Sequence, residues 1–248
     1  MSETLLALEG LSIRTQERTL VKDVGIEVQA GRVTAVVGHS GSGKSLSARA
    51  CMCVLDVDPG LVAGSLRYPG VSNDDLFAPV VGKGMRAQLR LLANTRQYRG
   101  GYVTYSPQSA SSALNPGRTI GAQLAMAIGR RSEKPNSVAS AIREVLEEVG
   151  LPPRASGALP RELSGGMAQR AALAIAIAPK PKVMIADEPE TGLDPVLRRV
   201  VNELMIEVAQ GHGVGLLLIS HNMDTVRRCA DTVVRIGHDA PDPFGEDA

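Results

Sequence analysis

"VTAVVGHSGSGKSLSARA", residues 33 to 50, passes from an apolar β-branched run through a cluster of glycines and serines into a segment with helical spacing. The first five residues read as a short buried strand. Leu46, Ala50, Cys53 and Val54 then recur on one helix face, which predicts a helix reaching to about residue 54. In that strand, loop and helix context the pattern G-x-x-x-x-G-K-[ST] carries meaning, and Gly38, Gly43, Lys44 and Ser45 match it. The alternative is a glycine-rich turn with a chance Lys-Ser, and the position between strand and helix argues against it. The backbone N–H groups of Gly38, His39, Ser40, Gly41, Ser42 and Gly43 suit a cradle for phosphate oxygens at a positive helix end. Lys44 supplies a point charge for β/γ-phosphates, and Ser45 a hydroxyl for Mg²⁺.

Working outward from this loop, short alternating stretches before it ("LLALEGLSI", "DVGIEV") read as strands. From Thr119 to Gly150 the period changes. Val138, Ile142, Val145, Leu146 and Val149 form one helical stripe, and Ile120, Leu124 and Ile128 a shorter one. After residue 165 the expected order is helix 166–178, strand 182–186, helix 196–209, strand 214–219, helix 222–230 and strand 232–236. Strands separated by helices imply a mostly parallel sheet covered on both faces. The tail "HDAPDPFGEDA" is proline-rich and acidic, and disorder is expected there.

Twenty-seven basic against 26 acidic residues in 248 give a formal charge of +1, which argues against a surface dominated by nucleic acid or anionic membrane. The longest apolar stretches, "AALAIAIA" and "VGLLLIS", fall short of the roughly 18 to 20 residues that span a bilayer. The beginning of the chain has acids early and no basic region before an apolar core, so no secretory leader is expected. Cys51, Cys53 and Cys229 form no CxxC pair and read as small core residues rather than metal ligands.

"VMIADEPETGLDP", residues 183 to 195, runs a second apolar strand into Asp187, Glu188, Glu190 and Asp194. Opposite a phosphate loop, an acid at a strand end is placed for a magnesium contact, which suits Asp187. Glu188, one residue further, is placed to orient and deprotonate a water. Solvated strand-end acids are the bland alternative.

"LSGGMAQR" (163–170) resembles the signature sequence of ATP-binding cassette (ABC) ATPases. The resemblance extends over nearly the whole chain. "YSPQSASSALNP" (105–116) is similar to the family's Q-loop, "TGLD" (191–194) to its D-loop, and "LLLISHNMD" (216–224) carries His221 at its switch position. The phosphate-loop and signature regions look most like those of peptide and nickel importers. The resemblance implies an α/β fold: a P-loop (RecA-like) ABC nucleotide-binding domain with an antiparallel β subdomain and an inserted helical subdomain. One domain spans 1–248, with the core at 1–108 and 166–236, the helical part at 109–165 and a tail at 237–248. It implies ATP and Mg²⁺, with Ser45, Gln108 and Asp187 at the metal and Glu188, His221 and Gln108 catalytic. Ser164, Gly165 and Gly166 would face the γ-phosphate of ATP held by a second, homologous or identical ATPase subunit, with Asp194 at the interface.

The same resemblance implies two transmembrane permeases and, indirectly, an extracytoplasmic solute-binding protein, with the chain peripheral at the cytoplasmic face of the inner membrane. The transported solute would be a peptide, nickel or a metal–metallophore complex. The rival is a non-transport ABC ATPase acting on nucleic acid or ribosomes. The coiled coils, zinc modules and tandem cassettes usual in such proteins do not occur in this sequence. At the nucleotide site two features depart from the family. No aromatic residue precedes Tyr68 to stack on adenine, a place that Arg14 or Arg18 would have to take. Glu190 stands where a threonine is usual.

Overall fold

A computed structural model of the chain describes residues 2–108, 113–191, 194–237, 240, 242 and 243, those at 196 and 197 for the backbone only. In chain order the elements are β1 (Thr4–Thr15), β2 (Thr19–Gln29), β3 (Val33–Val37), α1 (Lys44–Ala50), β4 (Pro59–Arg67), α2 (Gly84–Asn94) and β5 (Val103–Ser106). They continue through α3 (Ile120–Ile128), α4 (Val138–Glu148), α5 (Gly165–Ile177), β6 (Val183–Asp187), α6 (Pro195–Gly211), β7 (Gly215–Ile219), α7 (Met223–Cys229) and β8 (Thr232–Arg235).

Two sheets result. β2, β1 and β4 pair antiparallel in that order, and β5, β6, β7, β3 and β8 form a second sheet whose pairings are all parallel. Every residue of β3, β6 and β7 is buried, as unbroken apolar runs in a parallel sheet covered on both faces require. One face packs on the antiparallel sheet, where Leu6, Ile13, Val24 and Leu66 share a core with Val36, Ile185 and Ile219. The opposite core joins Met184, Leu216 and Leu218 to α5, α6 and the apolar stripes of α3 and α4. Thr34 Oγ1 donates to Glu27 O at 2.8 Å and stitches the two sheets together.

The helical segment is punctuated as its sequence suggests. Thr119 and Ser137 cap α3 and α4, each side chain accepting a backbone N–H at 3.3 Å. Buried Arg131 then donates through Nε to Ala178 O at 2.7 Å and ties this segment to the end of α5. Leu124 is fully buried, so Leu124→Ala is expected to cost about 2–5 kcal/mol of unfolding free energy, read from urea titration.

Two local expectations change. The helix after the phosphate loop ends at Ala50 rather than near residue 54. Cys53 takes a left-handed conformation (φ 59°), its N–H donates to Ala50 O, and the Val54 N–H reaches Arg49 O. This is a Schellman stop, which the apolar spacing of Cys53 and Val54 conceals because both remain in the core side of the chain. Between β4 and β5 lies α2, which the sequence reading did not anticipate. Its buried Gln88 accepts from Leu61 N–H and donates to Val57 O and Pro59 O, fastening α2 to the start of β4. In the tail, Ala240 is buried and Pro243 O accepts from Arg227 Nε at 2.7 Å, while 238, 239, 241 and 244–248, where most of the expected disorder falls, lie outside the described residues. The basic side chains of α7 and β8 provide the donors for that contact. Cys51 and Cys53 are buried and Cys229 half-buried, all three free.

Candidate nucleotide-hydrolysis site

The parallel order β5-β6-β7-β3 decides the site. Each strand delivers the residues just past its end to the same edge of the sheet: Gln108 beyond β5, Glu188 beyond β6, His221 beyond β7 and the glycine loop beyond β3. Sequence neighbours are thereby replaced by spatial ones.

The loop itself is shaped by close approaches that only glycine permits. A Cβ on Gly38 would lie 2.4 Å from Ile236 O, and one on Gly43, whose φ is 98°, would lie 2.6 Å from Val21 Cγ2. Lys44 is buried, and its Nζ donates to Gly38 O at 2.8 Å and His39 O at 2.9 Å, curling the loop around the ammonium. His39, Ser40, Gly41 and Ser45 are exposed along the rim, while Ser42 Oγ is buried with no hydrogen-bond partner among the described residues.

Ser45 Oγ donates to Asp187 Oδ1 at 3.1 Å, joining the first turn of α1 to the end of β6. Asp187 is buried, and its other oxygen accepts from Tyr105 Oη at 2.8 Å. Burial and the Asp187 carboxylate push the Tyr105 phenol well above its ordinary range, so it remains a donor. Tyr105 thus belongs to the site although the sequence reading passed over it; its place in "YSPQ" beside Gln108 was the available signal.

Glu188 has a left-handed backbone, φ 46°, and its N–H donates to Ile219 O at 2.9 Å. That turn carries its side chain away from the strand line and toward the neighbouring loops. Its Oε2 accepts from Gln108 Nε2 at 2.9 Å and from Thr191 Oγ1 at 3.2 Å, and His221 Nδ1 stands 3.5 Å away, beyond a good hydrogen bond. The acids of one sequence cluster therefore separate. Asp187 faces Ser45, and Glu188 faces Gln108 and His221. Asp194 is exposed before α6, and Glu190 is buried on the far side of the loop.

Ser164 caps α5, accepting from Met167 N–H at 3.3 Å, and Ser164 and Gly165 are exposed. Among the described residues no hydrogen bond joins Ser164, Gly165 or Gly166 to the Gly38–Ser45 loop of the same chain. Buried Gln169 of that helix reaches Pro189 O at 2.8 Å, so α5 and the Glu188 loop are mechanically linked. Residues 109–112 of the Q-loop and 192–193 of the D-loop lie outside the described residues. A cavity of about 510 Å³ beside the loop is lined by Thr19, Leu20, Val21, Lys22, Ser42 and Ile236, among others. Arg14 and Arg18, exposed at the adjoining hairpin, are not in its lining.

These features define a P-loop nucleotide-binding fold in which the glycine loop, the strand-end acids and a separate signature helix occur together. The model of the ABC transporter family matches residues 21–191. A putative peptide import ATP-binding protein of Brucella abortus (strain 2308) is 34% identical over 242 residues, covering 94% of this chain and 68% of that protein. The nickel import ATP-binding protein NikD of Rhodospirillum rubrum is 38% identical over 236 residues, covering 92% and 82%. Among solved structures, the ATP-binding cassette MJ0796, a dimer in a post-hydrolysis state bound to ADP and Pi, shares the fold. Its TM-score is 0.74 at 18% identity, with 97% of this chain and 99% of that one covered. The chain belongs to the ABC transporter family, as an ATP-hydrolysing, ATP-binding subunit homologous to peptide and nickel importer ATPases. ATP and Mg²⁺ are the ligands typical of that family.

Proposed function

We propose that this chain powers an importer for a small solute, a peptide, nickel or a metal–metallophore complex, by binding and hydrolysing ATP at the edge formed by β5, β6, β7 and β3. The observation that supports it most is the meeting of Gln108, Thr191 and His221 on one oxygen of Glu188, beside the Ser45–Asp187 pair. The loop from Gly38 to Ser45 holds the phosphates, with Lys44 turning from the loop carbonyls to phosphate oxygens. Among the described residues no group of three or more His, Cys, Asp or Glu side chains is arranged to hold a metal by itself. The hard oxygens of Ser45 and Asp187, with the amide of Gln108 on the adjoining Glu188, fit Mg²⁺ that shares its ligands with the nucleotide. Bound there, Mg²⁺ would neutralise phosphate charge.

Glu188 acts as the base, accepting the proton of a water through its carboxylate. Gln108 and Thr191 donate to that carboxylate and set its rotamer. His221, on the loop after β7 with Nδ1 3.5 Å from Glu188, hydrogen-bonds the γ-phosphate in this reading.

Completion of the site requires a second ATPase subunit, identical or homologous. The exposed Ser164–Gly166 N-terminus of α5 offers N–H groups and a hydroxyl to the nucleotide of the facing subunit, with Asp194 at the shared interface. Coupling to two permeases runs through β5. A groove of about 720 Å³ between the helical segment and the core is lined by Arg99, Tyr105, Pro107, Leu114 and Met126, with other residues. A permease segment seated there would bear on the strand that leads, through Pro107, to Gln108. Among the described residues no helix is long and apolar enough to cross a membrane. Attachment at the cytoplasmic face is therefore proposed to be peripheral, through the permeases, with an extracytoplasmic binding protein choosing the solute.

Purifying the intact complex from membranes, naming its subunits and asking which ligand of the binding protein raises ATP turnover tests the reading. Hydrophobic permeases and a stimulating solute are expected. Turnover stimulated by DNA or ribosomes, without permeases, would overturn it.

A further inference from the structure

Glu190 is one acid more than the hydrolysis of ATP uses, yet it is the most deeply buried carboxylate of the cluster, 2% exposed. Its Oε1 accepts from Ser220 Oγ at 2.5 Å, and its Oε2 accepts from Asn202 Nδ2 at 2.9 Å and Thr225 Oγ1 at 3.0 Å. The donors come from the end of β7, from α6 and from the first turn of α7. A buried carboxylate persists only when its oxygens are so supplied, and the same bonds join three elements at one point.

Two of those elements bracket His221. Ser220 immediately precedes it, and Ser220 Oγ also accepts from Asn222 N–H at 3.0 Å. Asn222 in turn caps α7, its Oδ1 accepting from the N–H groups of Asp224 and Thr225. Glu190 therefore grips the turn carrying His221 from both sides. On its own strand side, Glu190 is separated from Glu188 only by Pro189, whose carbonyl is held by Gln169.

We infer that Glu190 is a positioning residue, which sets the spacing between Glu188 and His221 by tying the loop after β6 to the loop after β7. The inference rests on the roles proposed above for Glu188 and His221. One carboxylate serves where separate side chains would be needed, because its two oxygens point to different elements. Asn202 Oδ1 is buried with no partner among the described residues. In Glu190→Gln the Asn202 amide can therefore turn over and accept from the new NH₂ group, while Ser220 keeps its acceptor.

The test uses the full chain in the complex with which it co-purifies, measuring kcat and KM for ATP. Glu190→Ala is expected to lower kcat about tenfold with KM within about twofold, and Glu190→Gln to restore kcat to within about threefold of wild type. Ser220→Ala, which cuts the bond next to His221, is expected to show the same loss at unchanged KM. In a cycle with His221→Ala, adding Glu190→Ala should lower kcat no further, because both changes remove one function. Wild-type kcat in Glu190→Ala, or losses that multiply fully in the cycle, would overturn the inference. Should Glu190→Ala fail to fold, Ser220→Ala decides alone, wild-type kcat counting against the proposal. If His221→Ala and Glu188→Gln themselves keep full turnover, the reading of the hydrolytic site fails. If they lose it while Glu190→Ala is additive, only the positioning role fails.

Discussion

Steady-state ATP turnover is expected to fall by about 10²–10⁴-fold in Glu188→Gln, with ATP binding retained and the ATP-bound pair of subunits accumulating. The amide has the size of the carboxylate and accepts the same left-handed backbone, which the bond from Glu188 N–H to Ile219 O already holds. Gln108 can reverse its own amide to meet the new group. What the substitution removes is the ability to take a proton, not the shape of the loop. Phosphate release by the purified complex measures the loss, equilibrium ATP binding the retained affinity, and elution volume with ATP the accumulated dimer. Turnover at the wild-type rate would mean that another group is the base.

The second large effect is expected on binding. Lys44→Ala should weaken ATP by about 10–100-fold, the scale of losing charge-assisted hydrogen bonds of about 1.5–3 kcal/mol. The ammonium is buried and held by Gly38 O and His39 O, so alanine also leaves two loop carbonyls without their donor. Part of the loss is therefore a loosened loop. Calorimetric titration with Mg²⁺-ATP reads the combined change, and an unaltered Kd would rule out the role assigned to Lys44. Together the two variants separate binding from chemistry: one keeps nucleotide and cannot cleave it, the other cleaves poorly because it holds little.

Much of this arrangement was legible before any coordinates. The apolar runs of β3, β6 and β7 announce buried parallel strands because both of their faces must leave water, and the glycine spacing around Lys44 announces a tight loop between strand and helix. Gln108, Asp187, Glu188 and His221 are visible because each ends a strand or lies within two residues of its end. The shortened α1 was hidden, because Cys53 and Val54 keep helical spacing while a backbone stop has already turned the chain. α2 was hidden for a related reason: Gln88, the residue that anchors it, is polar and contributes nothing to an apolar stripe. Tyr105 was hidden because its value to the site lies in a bond to Asp187, 82 residues away.

The acids of residues 187 to 194 divide the two sources of information most clearly. Their chemistry and their place at a strand end follow from the sequence, since local pattern determines which residues a buried strand can present at its tip. Which of them meet which partners depends on the order β5-β6-β7-β3, and that order is a property of long-range pairing. Local periodicity carries no information about it. Only the fold could show that Glu188 turns toward Gln108 and His221 while Glu190, two residues on, turns inward to Ser220, Asn202 and Thr225. A left-handed backbone at Glu188 parts them, and burial then demands that the inward carboxylate find donors from elements distant in the chain.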